Sequence, residues 1–155
     1  METLRAVMGR FPSGVAVVTV NAAGQELGLT VGTFVSLSLE PQLVGFGIRR
    51  EAALHELLRE AGAFGVSLLA GGQEALAQHF ARGVPPIALW EGISRRPGAE
   101  TGATLLAGAL GWLEARLASA QPAGDHTWFV GEVLGTELGS NSGPLVHVGG
   151  GFTSL

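Results

Sequence analysis

The sequence predicts one mainly β domain over residues 1–155, an antiparallel barrel flanked by a few short helices. Three observations carry this reading. Short β-branched or apolar runs recur along the chain, most of them are joined by turn residues rather than by helical crossovers, and stretches with helical periodicity are few. A chain of 155 residues is long enough for one sizeable core. With 46% apolar and only 14% charged residues it lies far from the disordered regime and is poor in surface charge, so part of its apolar surface is expected to meet a partner or a second copy.

Each element follows from its local pattern. Leu4, Val7, Met8 and Phe11 recur at helical spacing before Pro12 and Gly14, which predicts a short amphipathic helix. Val15 to Val20 is β-branched and almost continuously apolar, and the turn residues Asn21 to Gly24 lead to a return strand from Leu27 to Phe34. Leu43 to Ile48 reads as a strand, and Leu54, Leu57, Leu58 and Ala61 line one face of a helix. Phe64 to Leu69 is strand and Gly72 to Phe80 helix. Residues 82–102 hold prolines, glycines and three arginines, so they read as a long loop, a place for a lid or a substrate rim. Leu110 to Ser119, His126 to Leu138 and Leu145 to Val148 complete six or seven strands against three helices. No internal repeat or linker interrupts them.

Composition excludes several chemistries. All nine cations are arginine, which removes lysine nucleophiles, Schiff bases and the P-loop ammonium. Cysteine is absent, so thiol catalysis, disulfides and cysteine metal sites are excluded too. A net charge of −4 argues against nucleic acid. No charge-free apolar run approaches membrane-spanning length, and no basic-then-apolar leader opens the chain, so a cytoplasmic location without a membrane partner is expected. Neither G-x-G-x-x-G nor G-x-S-x-G occurs, and the histidines at 55, 79, 126 and 147 have no metal-ligand spacing, so the ordinary reading of each is structural. Trp90, Trp112 and Trp128 read as core or interface residues. A β-rich domain without an evident nucleophile suits chemistry carried by a bound cofactor.

One stretch is denser in hydroxyls than a strand requires: GLTVGTFVSLSLEP, Gly28 to Pro41. Together with Arg10-Phe-Pro-Ser-Gly-Val-Ala-Val-Val-Thr19, Ile48-Arg49-Arg50 leading to His55, His79-Phe80-Ala81-Arg82, Gly124-Asp125-His126-Thr127 and Gly143-Pro144-Leu145-Val146, it resembles the flavin reductase-like proteins of the FMN-binding split-barrel fold. The likeness is strongest to the small reductase components of two-component flavin monooxygenases, and the markers follow in the family's order along nearly the whole chain.

The resemblance implies a homodimer with noncovalent FMN, or FAD, near the subunit interface. It implies NADH or NADPH as co-substrate, a hydride passed to the flavin, and reduced flavin released to a monooxygenase. It places Thr30, Val31, Gly32, Thr33, Ser36 and Leu37 along the flavin, Arg49, Arg50, Glu51 and Ala52 at its phosphate, and Phe80 with Arg82 near the phosphate or the flavin edge. His126, His147 and Gly149 fall beside the dinucleotide, and no side chain is required as a catalytic acid or base. The chain departs from the family pattern in carrying Gly32-Thr33 where adjacent serines are common, and Glu51 where a small hydroxyl residue is common. A flavin-binding electron carrier and a split-barrel binding protein without redox turnover are the rival readings.

Overall fold

The computed structural model describes residues 2–155. Helix α1 (Glu2–Met8) leads through β1 (Ser13–Gly14) into a hairpin of β2 (Ala16–Ala22) and β3 (Gln25–Val31). A second hairpin, β4 (Val35–Leu39) and β5 (Gln42–Arg49), is followed by α2 (Ala53–Ala61), β6 (Ala63–Leu68), α3 (Glu74–Ala81) and α4 (Pro86–Leu89). The ribbon β7 (Arg95–Pro97) and β8 (Thr104–Leu106) precedes the long hairpin β9 (Gly111–Ala123) and β10 (His126–Leu138). Strands β11 (Leu145–Val148) and β12 (Gly151–Ser154) close the chain.

Seven strands form one antiparallel sheet in the order β3-β2-β6-β9-β10-β5-β4. Its two edges, β3 and β4, are consecutive in sequence and separated only by Gly32, Thr33 and Phe34. Four residue steps reach no more than about 14 Å, so the sheet must curl until its edges meet. Strand β3 comes to lie near β5 without a hydrogen-bonded ladder between them, and the seam stays open. The expected mainly antiparallel split barrel is therefore what the chain forms. A second sheet, β1-β11-β12, joins β2 through the start of the chain.

The barrel is filled by Phe46, Phe64 and Phe129 from β5, β6 and β10, with ring centroids 5.0 and 5.8 Å apart. Residues Ala16 to Val20 of β2 are all buried, as their nearly continuous apolar run predicts for a strand covered on both faces, and the Thr19 hydroxyl that interrupts the run donates to Thr104 O at 2.5 Å. Helix α2 buries Leu54, Leu57 and Leu58 and ends at Gly62, whose φ of 69° lets its N–H reach Leu58 O at 3.0 Å.

Three expectations change. The return strand stops at Val31 rather than Phe34, because the chain must bend there to reach the other edge. The predicted helix of residues 4–11 forms as α1, but Leu4, Val7, Met8 and Phe11 are 66, 61, 51 and 69% exposed in the single chain. Residues 82–102 are not one long loop but hold α4 and β7, and their later part is anchored to the barrel. The Trp90 indole N–H donates to Glu26 O (2.7 Å), while Arg95 (3.2 Å) and the Thr104 hydroxyl bind the Glu26 carboxylate. On the other side, buried Glu114 accepts from Thr101 N–H (2.8 Å), Thr101 Oγ1 (2.6 Å) and Glu100 N–H (3.2 Å).

Glu114→Ala leaves those donors without their anion. It is expected to lower unfolding free energy by about 2–3 kcal/mol in urea titration, with the residue 98–103 amides losing hydrogen-exchange protection first.

Candidate functional site

The bend between β3 and β4 sets the geometry. The Thr33 hydroxyl accepts from Gly47 N–H (2.9 Å) and donates to Gly47 O (3.1 Å), so it takes both main-chain groups of the facing β5 residue. The β4–β5 ladder starts only at Val35↔Gly45, which leaves the main-chain groups of Thr33 outside it. Thr30 also uses its hydroxyl internally, donating to Ala77 O of α3 at 2.6 Å. Thr30 and Thr33, two of the side chains expected along the flavin, thus use their hydroxyls within the fold, and the bend also offers its backbone outward.

Two clefts meet along the edge strand β3. One, of about 230 Å³, is lined by Thr30, Val31 and Gly32 with Val15, Ala81, His147 and Phe152. The other, of about 380 Å³, runs from Leu27, Gly28 and Leu29 to Glu51, Ala52, Ala53 and Leu54 at the start of α2, with Phe80 and residues 83–86 on its wall. Ala81 borders both, and Arg82 follows it, exposed and, among the described residues, paired with no carboxylate. Phe80 is 2% exposed and packs on Trp90 (5.1 Å between centroids), so it shapes the wall from the core.

The start of α2 offers an anion site of mixed quality. Ala52 gives the helix no side-chain cap, so its first N–H groups point outward with the positive end of the dipole. Arg49 is exposed but pairs with Glu51 at 3.0 Å. Arg50 turns its guanidinium onto Gly124 O, and its N–H donates to Asp125 O at 3.2 Å, so it grips the β9–β10 turn.

That turn positions His126. Gly124 has φ 66°, as the first central residue of a two-residue hairpin turn requires, and His126 opens β10 directly across from Arg49. Its Nδ1 lies 2.7 Å from Asp125 Oδ1. This hydrogen bond, and then the charge of His126, hold the Asp125 carboxylate below the ordinary aspartate range, with Arg49 adding a smaller effect. A Cβ placed on Gly47 would lie 3.6 Å from Trp128, 3.7 Å from His126 and 3.9 Å from Thr33 Oγ1, so His126 and Thr33 flank the same point on β5. His55, 3% exposed, fixes the neighbouring Thr127 through a 2.7 Å contact from Nε2 to Oγ1.

The structure brings Thr30, Val31, Gly32 and His147 into one cleft, and Glu51, Ala52 and Phe80 into the next. His126 and His147 do not meet; they flank the bend, His147 beside Gly32 and His126 beside Thr33. Ser36 and Leu37 leave with β4, and Leu37 lies against Gly45 on the outer face beneath Trp128. Gly149, with Gly150, forms the β11–β12 turn with φ of 62° and 78°, and its N–H donates to Gly9 O at 2.7 Å. Val15, Phe152 and Asp125 carried no site reading in the sequence. Only Asp125 had a signal, its place in a recognisable turn.

The residues fit a flavin: an elongated groove with apolar walls, backbone at a bend, and arginines beside an uncapped helix start. The sequence profile of the flavin reductase-like domain matches residues 8–155. The chain belongs to that family. Within it, the chain is 42% identical over 154 residues to the reductase component of 4-hydroxyphenylacetate 3-monooxygenase from Thermus thermophilus, covering 99% of this chain and 96% of the relative. It is 40% identical over 156 residues to an NADH-dependent flavin reductase of a Rhodococcus species, covering 98% and 85%. The solved Streptomyces globisporus NADH:FAD oxidoreductase SgcE6, in complex with NAD and FAD fragments, superposes with a TM-score of 0.93 at 36% identity, over 99% of this chain and 92% of that one.

Thr33→Val removes both contacts with Gly47 and is expected to cost about 1 kcal/mol in urea unfolding. Thr33→Ser, which keeps the hydroxyl, should stay near the parent protein.

Proposed function

We propose that this protein is an NADH-dependent flavin reductase that takes FMN or FAD noncovalently and passes reduced flavin to a separate monooxygenase in the cytoplasm. The observation that carries the reading is the bend. One short segment, Gly32-Thr33, borders the His147 cleft on one side and the His126 point on the other, so a flavin laid along β3 would meet a second ligand there. When bound, the flavin supplies the redox chemistry by accepting the hydride of the reduced nicotinamide. Near relatives named as NADH-dependent flavin reductases support this choice of reductant.

The chain's own residues bind and orient. Arg49, Arg82 and the first N–H groups of α2 offer charge and donors for the flavin phosphate, with Glu51 as internal competitor for Arg49. Backbone at Val31 to Thr33 meets the flavin's polar edge. His126, with Nδ1 held by Asp125, would have Nε2 left to meet the nicotinamide, and His147 and Phe152 wall the cleft. Reactions of this kind depend on distance and orientation, which rigid positioning supplies.

Two copies complete the unit. The exposed apolar face of α1 and the exposed Val35, Leu37 and Leu39 on edge strand β4 support a homodimer. Sedimentation equilibrium at micromolar concentration is expected to return twice the 15.9 kDa chain mass; a flavin-loaded monomer would rule the dimer out.

Anaerobic mixing of NADH and excess FMN with catalytic protein is expected to bleach the flavin band over many turnovers. Tight flavin binding without bleaching would instead make the protein a carrier or a simple binder. His126→Ala should raise the KM for NADH roughly tenfold, the upper weight of one hydrogen bond, and leave FMN affinity within about twofold. The reverse pattern would overturn the placement of His126.

A further inference from the structure

Gly32 has no Cβ, and the space where one would stand is taken by another residue. An ideal Cβ there would lie 3.0 Å from Ser13 Oγ, tighter than ordinary van der Waals contact. Ser13 belongs to β1, paired with β11 so that Ser13 faces His147. Residues directly opposite on antiparallel strands project to the same side. The serine side chain therefore stands on the His147 side of this small sheet, with Gly32 against its hydroxyl. Among the described residues, that half-buried hydroxyl makes no hydrogen bond of its own, unlike Thr30 and Thr33, whose hydroxyls are committed to Ala77 and Gly47.

We propose that Ser13 is a flavin-contacting residue, its hydroxyl serving as the side-chain hydrogen-bonding group at the bend, and that Gly32 lacks a side chain to make room for it. This rests on the flavin reductase reading and deepens it. A hydroxyl both donates and accepts, so it can meet the carbonyl and ring nitrogen pattern along a flavin edge whichever group faces it. It also gives the glycine a specific task. A methyl at position 32 would push the hydroxyl from its place, whereas backbone binding at the bend would by itself tolerate alanine.

The test is flavin affinity in the absence of NADH, read as quenching of FMN fluorescence on titration with the full-length protein. Ser13→Ala is expected to weaken FMN binding roughly three- to tenfold, the value of one hydrogen bond, with an unchanged melting temperature for the flavin-free protein. Gly32→Ala should weaken it similarly by displacing the hydroxyl. The double variant should be no worse than Ser13→Ala alone, since the added methyl then fills vacated space. FMN affinity unchanged within twofold in Ser13→Ala overturns the inference, as does a double variant whose loss is the product of the two single losses. So does a Ser13→Ala effect confined to the KM for NADH, which would assign the hydroxyl to the nicotinamide. If Gly32→Ala does not fold, Ser13→Ala decides by itself. Failure of the parent protein to quench FMN at all would sink the flavin reading, an outcome distinct from a parent that binds and a variant that binds equally well.

Discussion

The structure depends on a connection of three residues. Strands β3 and β4 are the outermost strands of a seven-stranded sheet, and Gly32, Thr33 and Phe34 are all the chain provides between them. A flat sheet would hold its edges six inter-strand spacings apart, roughly 28 Å, about twice what the connection spans. Curling removes the conflict, and the aromatic cluster of Phe46, Phe64 and Phe129 fills the space the curl encloses. Full closure would need the chain to run on in register at the seam, and the Thr33 hydroxyl takes the Gly47 main-chain groups in place of such a ladder. The barrel is split at the point where its closure is pinned.

Function grows out of that same compromise. A closed barrel has no edge strand, whereas this one keeps β3 as an edge with clefts along it, and keeps main-chain groups at the bend outside any ladder. Elements distant in sequence converge there because the seam draws them in: α3 through Thr30, β1 and β11 through Ser13 and His147, and the β9–β10 turn through Arg50. The grip of Arg50 on Gly124 and of His55 on Thr127 ties the start of α2 to His126 from two directions. The two ends of the groove thus belong to one hydrogen-bonded frame.

What could be read in the sequence was what local chemistry decides. Ala23 and Gly24 have φ of 53° and 76°, and the turn expected over Asn21 to Gly24 forms around them. The burial of β2 and the face of α2 follow directly from apolar spacing. The family markers pointed to the fold. Hydroxyl roles were not legible, because a threonine beside a ligand and a threonine clamping a strand look alike until the facing residue is known. Residues 82–102 looked free because their anchors, Glu26 and Glu114, lie far away in sequence and carry no signal of being buried acceptors. The apolar face of α1 was legible as a pattern, but which surface covers it is a matter of assembly.

The anchoring of residues 90–104 bears on how the reaction is shielded. The segment is held to β3 by Glu26 and to β9 by Glu114, through side chains of the barrel itself. Residues 83–86, which precede that segment, border the groove, and Phe80 of the same wall packs on Trp90. A groove open along an edge strand favours rapid exchange, since no opening step need precede departure of a small ligand. That suits a protein that passes on its flavin rather than retaining it. An open edge strand and a binding surface built partly from backbone both favour release, and each follows from a barrel that cannot finish closing.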